Sequence, residues 1–274
     1  MRALLAAMTA DKGRPYANLG RHLEILDEAA RQDCEVAVFP EFSLTGSVDP
    51  LRHPEWLATV GHDAVRILAA ATGRTKVGAI FGIGEQASDG PYVTQLYAVG
   101  GRLRGRHRKR HLGEDEDGYR IGTETKVFRS GDMSFGIVIC AEGGVDFTWK
   151  AIADQGASLV FFCSAPGLYG RRTDEAGWRD GLAWWEGYGL GDARRHAVEQ
   201  QTWVAMATQA GSTFDEDFPG LAALVAPTGE VVSRVPDWIP NNLVVDIPTD
   251  PSVRAASSAT GGQPPRASRS HSTE

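Results

Sequence analysis

The chain has 274 residues, of which 42% are hydrophobic and 23% are charged, a composition typical of a globular protein. Its formal net charge of −7 argues against nucleic acid or an anionic membrane surface as a general partner. We find no apolar run near the roughly 20 residues of a membrane span, and the apolar stretch at the N-terminus is too short for a secretory leader. We therefore expect a cytoplasmic protein.

The cysteines are odd in number and lie at positions 34, 140 and 163, with no CxxC spacing. This pattern disfavours a disulfide scaffold or a zinc site and fits a reducing compartment. We therefore expect neither a metal nor another cofactor.

The first half of the chain alternates strand and helix patterns and then changes to hairpins. Apolar residues recur at helical spacing over 17–32 and 54–72, and continuous apolar runs predict buried strands. Gly100-Gly101 suits a two-residue turn inside a hairpin. The predicted elements are strands 2–9, 35–40 and 76–86, helices 17–32 and 54–72, and the hairpin 93–112, followed by a polar loop over 113–126.

The second half repeats the mixture of hairpins and strand–helix units. A segment rich in glycine and tryptophan, 166–191, is assigned neither helix nor strand and is predicted to build much of a substrate pocket. The predicted elements are the hairpins 127–140 and 222–235, helices 146–155 and 192–201, strands 158–163 and 203–209, and a last strand at "NLVVDI".

Strands outnumber helices, and hairpins stand among strand–helix units, so a simple doubly wound sheet is excluded. Two mixed sheets stacked face to face, each covered by helices, accommodate this order. We predict one α/β domain over residues 1–249. Residues 250–274 are rich in Ser, Ala, Pro and Gly, and we expect this tail to be disordered.

Three chemically capable side chains stand at predicted strand ends. The apolar run before Pro40 leads directly to Glu41, where partial loss of solvent raises the free energy of the charged carboxylate. Lys109 breaks the alternation of arginines in "RLRGRHRKRH" at the end of another strand. Cys140 ends a third strand before small residues, and backbone N–H groups at such a turn can hold an oxyanion. The three supply a base, a cation and a nucleophile for acyl transfer.

The basic run also permits other interpretations. Its arginines alternate along one strand face, which favours an exposed basic surface over a nucleic-acid site. His107 and His111 are four residues apart, the spacing of two metal ligands on a helix. On a strand this spacing does not bring the rings together, and no third ligand is nearby, so we predict no metal there.

The segments "VFPEFSLTG", "RKRHL" and "GIVICAE" resemble, in order, the three signature segments of the carbon–nitrogen hydrolase (nitrilase) superfamily. The resemblance extends over about residues 2–248. It implies a four-layer αββα sandwich, a homodimer or larger homo-oligomer, and a catalytic triad at Glu41, Lys109 and Cys140.

The family resemblance also implies further site residues. Many members carry a second glutamate after the lysine motif, for which Glu114, Asp115 and Glu116 are available, and Glu116 fits best by its distance from Gly122. Ala141 and Glu142 follow the cysteine, and we assign them to the substrate and the oxyanion.

The resemblance implies a metal-independent thiol hydrolase that cleaves a non-peptide C–N bond of a small linear amide through a cysteine thioester and releases ammonia. An N-carbamoyl amine or amino-acid hydrolase and a nitrilase are the alternatives, because the pocket decides among amide, carbamoyl and nitrile substrates. A non-catalytic binding protein with the same fold is a third reading, against which the intact triad argues. Arg171 and Arg172 are candidates for binding a substrate carboxylate, but we favour solvated surface positions for both.

Overall fold

The computed structural model describes residues 1–248, so the predicted disordered tail lies outside the described residues. Within these residues, five α-helices accompany two short 3₁₀ helices and one π-helical turn. No helix in this part of the chain has both the length and the apolarity needed to cross a bilayer. The α-helices are α1 Pro15–Arg31, α2 Asp63–Thr75, α3 Asp146–Asp154, α4 Glu175–Trp185 and α5 Gly191–Gln200; the 3₁₀ helices are Pro54–Trp56 and Cys140–Gly144; the π turn is Glu186–Leu190.

The first sheet has six strands in the order β14-β1-β2-β3-β4-β5. The pairs β1–β2 and β2–β3 are parallel, and the other pairs are antiparallel. It is therefore a mixed sheet, as the sequence predicted. Its strands are β1 Arg2–Ala7, β2 Val36–Val38, β3 Gly78–Ala87, β4 Gly90–Val99, β5 Arg102–Arg108 and β14 Asn241–Asp246.

The second sheet also has six strands, in the order β13-β12-β9-β8-β7-β6. The three central strands run parallel and the outer pairs are antiparallel. Its strands are β6 Phe128–Ser130, β7 Met133–Ile139, β8 Leu159–Ser164, β9 Trp203–Thr208, β12 Ala222–Val225 and β13 Val231–Arg234; β10 Ala210–Ser212 and β11 Asp217–Pro219 form a separate pair.

The two sheets pack face to face, and the side chains of β1 show which layer lies on each face of the first sheet. Successive side chains of a strand point to opposite faces. Leu5 belongs to the cluster shared with the second sheet, whereas Leu4 packs in the cluster with α1 and α2. On the far side, Trp149 of α3 and Ala197 of α5 cover the second sheet. Both faces of each sheet are thus covered, which confirms the four-layer sandwich.

The predicted hairpins are confirmed, but two regions differ from the predictions. The helix expected over 54–72 begins only at Asp63, because the His62 side chain accepts the Ala64 N–H as an N-cap and the Pro54–Trp56 segment forms a separate 3₁₀ turn. The segment 166–191, for which no helix was predicted, contains α4, and the Asp174 side chain caps its start by accepting the Gly177 N–H.

Candidate active site

Glu41 lies in a tight turn directly after β2. The Phe39 N–H donates to the Ile80 carbonyl at 2.8 Å, and the Gln209 amide donates to the Glu41 carbonyl at 3.2 Å. Gly82 of β3 has no room for a side chain, since a Cβ there would lie 2.3 Å from the Phe42 nitrogen. The turn therefore packs directly on its neighbours, and Glu41 is 2% exposed.

Lys109 directly follows β5 and is pinned by its backbone. Its N–H donates to the Val93 carbonyl at 2.9 Å, and its carbonyl accepts the Gly122 N–H at 2.7 Å. The alternating arginines before it turn outward, and two of them, Arg106 and Arg108, pair with Glu85 at 2.9 and 2.7 Å. The Lys109 side chain points the other way and is 1% exposed.

Cys140 begins the 3₁₀ turn that follows β7. Its φ is +41°, in the left-handed region that residues with a side chain rarely adopt. Such backbone strain persists only when the surrounding structure enforces it, and it often marks functional positions. The thiol is partly buried, while Cys34 and Cys163 are buried, and all three are free cysteines.

The Lys109 ammonium lies between two carboxylates. Its Nζ donates to Glu41 Oε1 at 2.8 Å and to Glu116 Oε1 at 2.6 Å. The Ala165 N–H donates to the other Glu41 oxygen at 2.9 Å, and the Gly113 N–H donates to the other Glu116 oxygen at 2.5 Å. The structure thus joins Glu116 to Lys109 and leaves Glu114 and Asp115 exposed on the same loop.

The charged side chains of this group shift the pKa values of one another. Burial raises the pKa of Glu41 to about 7, against the opposing effect of Lys109, and the Glu116 charge adds to the rise. For Lys109, burial lowers the pKa, but the charges of Glu41 and Glu116 outweigh it and raise the pKa above its usual value. Burial and the Glu41 charge raise the pKa of the Cys140 thiol. The lysine therefore stays charged while the carboxylate titrates near neutrality.

These side chains open into one cavity of about 470 Å³. Glu41, Lys109, Glu116, Cys140 and Ala141 all line it. Trp184 and Trp185 line it too, as predicted for the segment 166–191, whereas sequence reasoning missed Phe42, Tyr119 and Phe162, which come from distant segments of the chain. The size suits a small molecule.

Glu142 does not line the cavity. Its predicted place beside the substrate is therefore corrected. The side chain is fully buried and its Oε2 accepts the His107 ring nitrogen at 2.9 Å. It also accepts the N–H groups of Ile139 at 2.7 Å and Arg110 at 2.9 Å. Burial raises the pKa of Glu142, but His107 and these donors outweigh it, so the pKa lies below its usual value. Glu142 ties the end of β5 to the cysteine turn.

The two arginines considered for a substrate carboxylate lie elsewhere. Arg171 pairs with the buried Asp217 at 2.9 Å, and Arg172 donates to the Leu168 carbonyl at 2.7 Å. Neither lines the cavity that holds Cys140. Neither arginine is therefore placed to bind a carboxylate in that cavity.

One group of three possible metal ligands occurs among the described residues: Asp146, His196 and Glu199. The Arg195 guanidinium already contacts Asp146 at 2.8 Å and Glu199 at 3.3 Å. The Arg195 guanidinium therefore already balances the negative charge of this cluster. The cluster does not line the cavity. The group includes neither of the histidines in the basic run.

The fold and the site together define an αββα hydrolase with a buried Glu–Lys pair beside a cysteine. The model of the carbon-nitrogen hydrolase family matches residues 5–254. The chain therefore belongs to the carbon–nitrogen hydrolase family. A comparison with curated proteins gave no match.

Solved structures of an amidase from Nesterenkonia sp. AN1 share this fold. A mutant showing Michael addition of acrylamide at the active site cysteine is 22% identical, with 91% of this chain and 94% of that chain covered and a TM-score of 0.76. A mutant with the acetamide moiety of fluoroacetamide added at that cysteine is 21% identical, with 94% and 96% covered and a TM-score of 0.77. A complex with butyramide is 22% identical, with 91% and 92% covered and a TM-score of 0.76.

Glu142→Ala is expected to destabilise the protein by about 3–5 kcal/mol, because it leaves buried donors on two segments without an acceptor. Urea denaturation measures the change. Asp154→Ala serves as the control: it removes the exposed pair with Lys150, at 2.9 Å, and should cost at most about 1 kcal/mol. Equal losses in the two variants would contradict a structural role for Glu142.

Proposed function

We propose that the protein is a metal-independent thiol hydrolase that cleaves the C–N bond of a small linear amide and releases ammonia. The observation that carries the proposal is the Lys109 ammonium bound between Glu41 and Glu116 in the cavity that Cys140 lines. The amides bound or added in the structurally similar amidase are small, which supports the same substrate size here.

The first step forms the covalent bond. Ionised Glu41 takes the proton of the Cys140 thiol, and the sulfur attacks the amide carbon. The carbonyl oxygen becomes an anion, which the Lys109 ammonium and the Ala141 N–H stabilise. An ammonium has three N–H donors, and two of those of Lys109 bind carboxylates, so one remains for the oxyanion.

The later steps release both products. Protonated Glu41 returns its proton to the leaving nitrogen, the C–N bond breaks, and ammonia leaves a thioester on Cys140. The same carboxylate then takes a proton from water, whose oxygen attacks the thioester carbon. Breaking the C–S bond frees the carboxylic acid, and the proton returns from Glu41 to the thiolate.

Carbamoyl and nitrile substrates are the alternatives, since they use the same thiol attack at carbon. A panel of primary amides, N-carbamoyl amines, N-carbamoyl amino acids and nitriles, assayed for ammonia, separates them. Ammonia from nitriles or carbamoyl compounds but not from primary amides would overturn the amidase assignment.

We further propose a cytoplasmic homodimer. The supporting observation is that α3 and α5, which contact each other on the outside of the second sheet, expose large apolar side chains away from the cavity, with Phe147 43% and Val198 46% exposed. A closed two-fold contact is the commonest way to cover such a face. Light scattering should give a mass of twice 29.5 kDa, and a single-chain mass at micromolar concentration would contradict the dimer.

Cys140→Ala is expected to abolish ammonia release while leaving the fold intact, because only the sulfur is lost. Cys34→Ala and Cys163→Ala provide the controls and should retain activity, since neither thiol lines the cavity. Mass spectrometry of the parent enzyme should show an acyl adduct on Cys140 alone. Turnover by Cys140→Ala near the parent rate would rule out the covalent mechanism.

The rate should depend on pH through Glu41. Because the base must be ionised and its pKa is raised to about 7, kcat/KM should fall about tenfold for each pH unit below 7 and level off above it. Initial rates on one amide across pH measure this limb, with circular dichroism at each pH as the folding control. An acid limb centred near the ordinary glutamate pKa would show that burial does not tune this group.

A further inference from the structure

The cavity wall carries more negative than positive side chains. Seven carboxylates and two lysines line it, with no arginine or histidine in the described lining. Lys109 is shared by Glu41 and Glu116, and Lys12 is bound at 3.0 Å by both Asp215 and Glu216. Four lining carboxylates are bound to neither lysine: Asp49, Glu114, Asp115 and Asp192. A substrate carboxylate would therefore meet repulsion, and a substrate cation would meet attraction.

One continuous segment supplies the wall that combines carboxylate and aromatic groups. The end of α4, the π turn and the start of α5 contribute Trp184, Trp185, Tyr188, Gly189 and Asp192. These positions recur about every four residues, so they lie on one face. A π turn widens the helical period and frequently occurs at functional sites. The segment therefore points one face at the cavity over two turns.

The aromatic part of this face is open. The Trp184 and Tyr188 rings lie 5.9 Å apart and remain 39% and 65% exposed. The Trp185 indole is 5% exposed, yet its buried Nε1 has no hydrogen-bond partner in residues 1–248. An indole N–H only donates, so this wall offers an unused donor beside two rings whose faces attract cations.

Asp192 is the carboxylate that this face contributes to the cavity lining, and it lies close to the cysteine turn. Its Oδ2 lies 3.9 Å from the position that a Cβ on Gly144 would take, and Gly144 ends the 3₁₀ turn that begins at Cys140. The cation beside it, Arg195, is 3.5 Å away and is shared with two further carboxylates. Burial raises the pKa of Asp192 despite Arg195, so the carboxylate is incompletely compensated.

We propose that the substrate is an amide whose far end carries a positively charged amine, held by the Asp192 carboxylate and the Trp184 and Tyr188 rings. This inference rests on the proposed function, because it places the amide carbon at Cys140. A charge-assisted hydrogen bond to Asp192 and cation–π contact with the rings would hold the ammonium. The same wall disfavours N-carbamoyl amino acids, whose carboxylate it would repel.

Calorimetry on the Cys140→Ala variant tests the proposal with three amides of matched length: 6-aminohexanamide, heptanamide and the monoamide of adipic acid. At neutral pH their far ends are an ammonium, a methyl group and a carboxylate, respectively. We expect the aminoamide to bind at least about tenfold more tightly than heptanamide, and the adipic monoamide to bind most weakly. Equal or tighter binding of heptanamide or of the adipic monoamide, or no binding of any of them, would overturn the proposal.

A second substitution in the same variant locates the cation. Asp192→Asn should reduce the preference for the aminoamide over heptanamide to less than about threefold, since it removes the carboxylate charge. Asp146→Asn is the matched control, because Asp146 contacts the same Arg195 but does not line the cavity, and it should keep the full preference. Retention of the preference by Asp192→Asn would exclude Asp192 as its source.

Hydrolysis by the parent enzyme separates this inference from the proposed function. Ammonia from heptanamide and 6-aminohexanamide at equal kcat/KM would overturn the amine preference and leave the amidase intact. Selective binding of the aminoamide with no ammonia from any amide would support the cation site but overturn the amidase function.

Discussion

The Lys109 ammonium between Glu41 and Glu116 is the interaction on which the site depends. One buried cation faces two buried carboxylates, so the group cannot be neutral with all three charged. Because the shared ammonium binds Glu116 at 2.6 Å and Glu41 at 2.8 Å, only part of its charge offsets Glu41. Breaking a buried pair of this kind costs several kcal/mol, which keeps the lysine in place. The same arrangement gives Glu41 a proton affinity suited to neutral pH.

The sandwich brings these groups together from separate strand ends. Glu41 follows β2 and Lys109 follows β5 in one sheet, while Cys140 follows β7 in the other. The cavity therefore opens where both sheets end, and its position depends on how the two sheets pack. Glu142 joins β5 to the cysteine turn across this junction, through Arg110 and Ile139. A carboxylate that does not line the cavity thus links the segment that carries the lysine to the segment that carries the thiol.

The sequence predicted the sandwich and brought forward Glu41, Lys109, Cys140 and Glu116, because strand ends and ordered motifs are local signals. The role of Glu142 was wrong because its partner His107 is 35 residues away in the chain. The helix in 166–191 was missed because its glycines lower helix propensity. There, Gly181 and Gly189 are needed for packing: a Cβ on either would lie within 2.6 Å of Leu168 or Trp185.

The left-handed backbone of Cys140 makes the residue that is proposed to react also a residue that lowers the stability of the fold. Holding a residue other than glycine at this φ costs of order 1–3 kcal/mol. A glycine there would adopt the same backbone freely, so losing the proposed nucleophile would relieve the strain. Screening a library of variants for heat resistance alone would then enrich glycine at position 140. Directed evolution of this enzyme toward higher thermal tolerance must therefore select on turnover in every round.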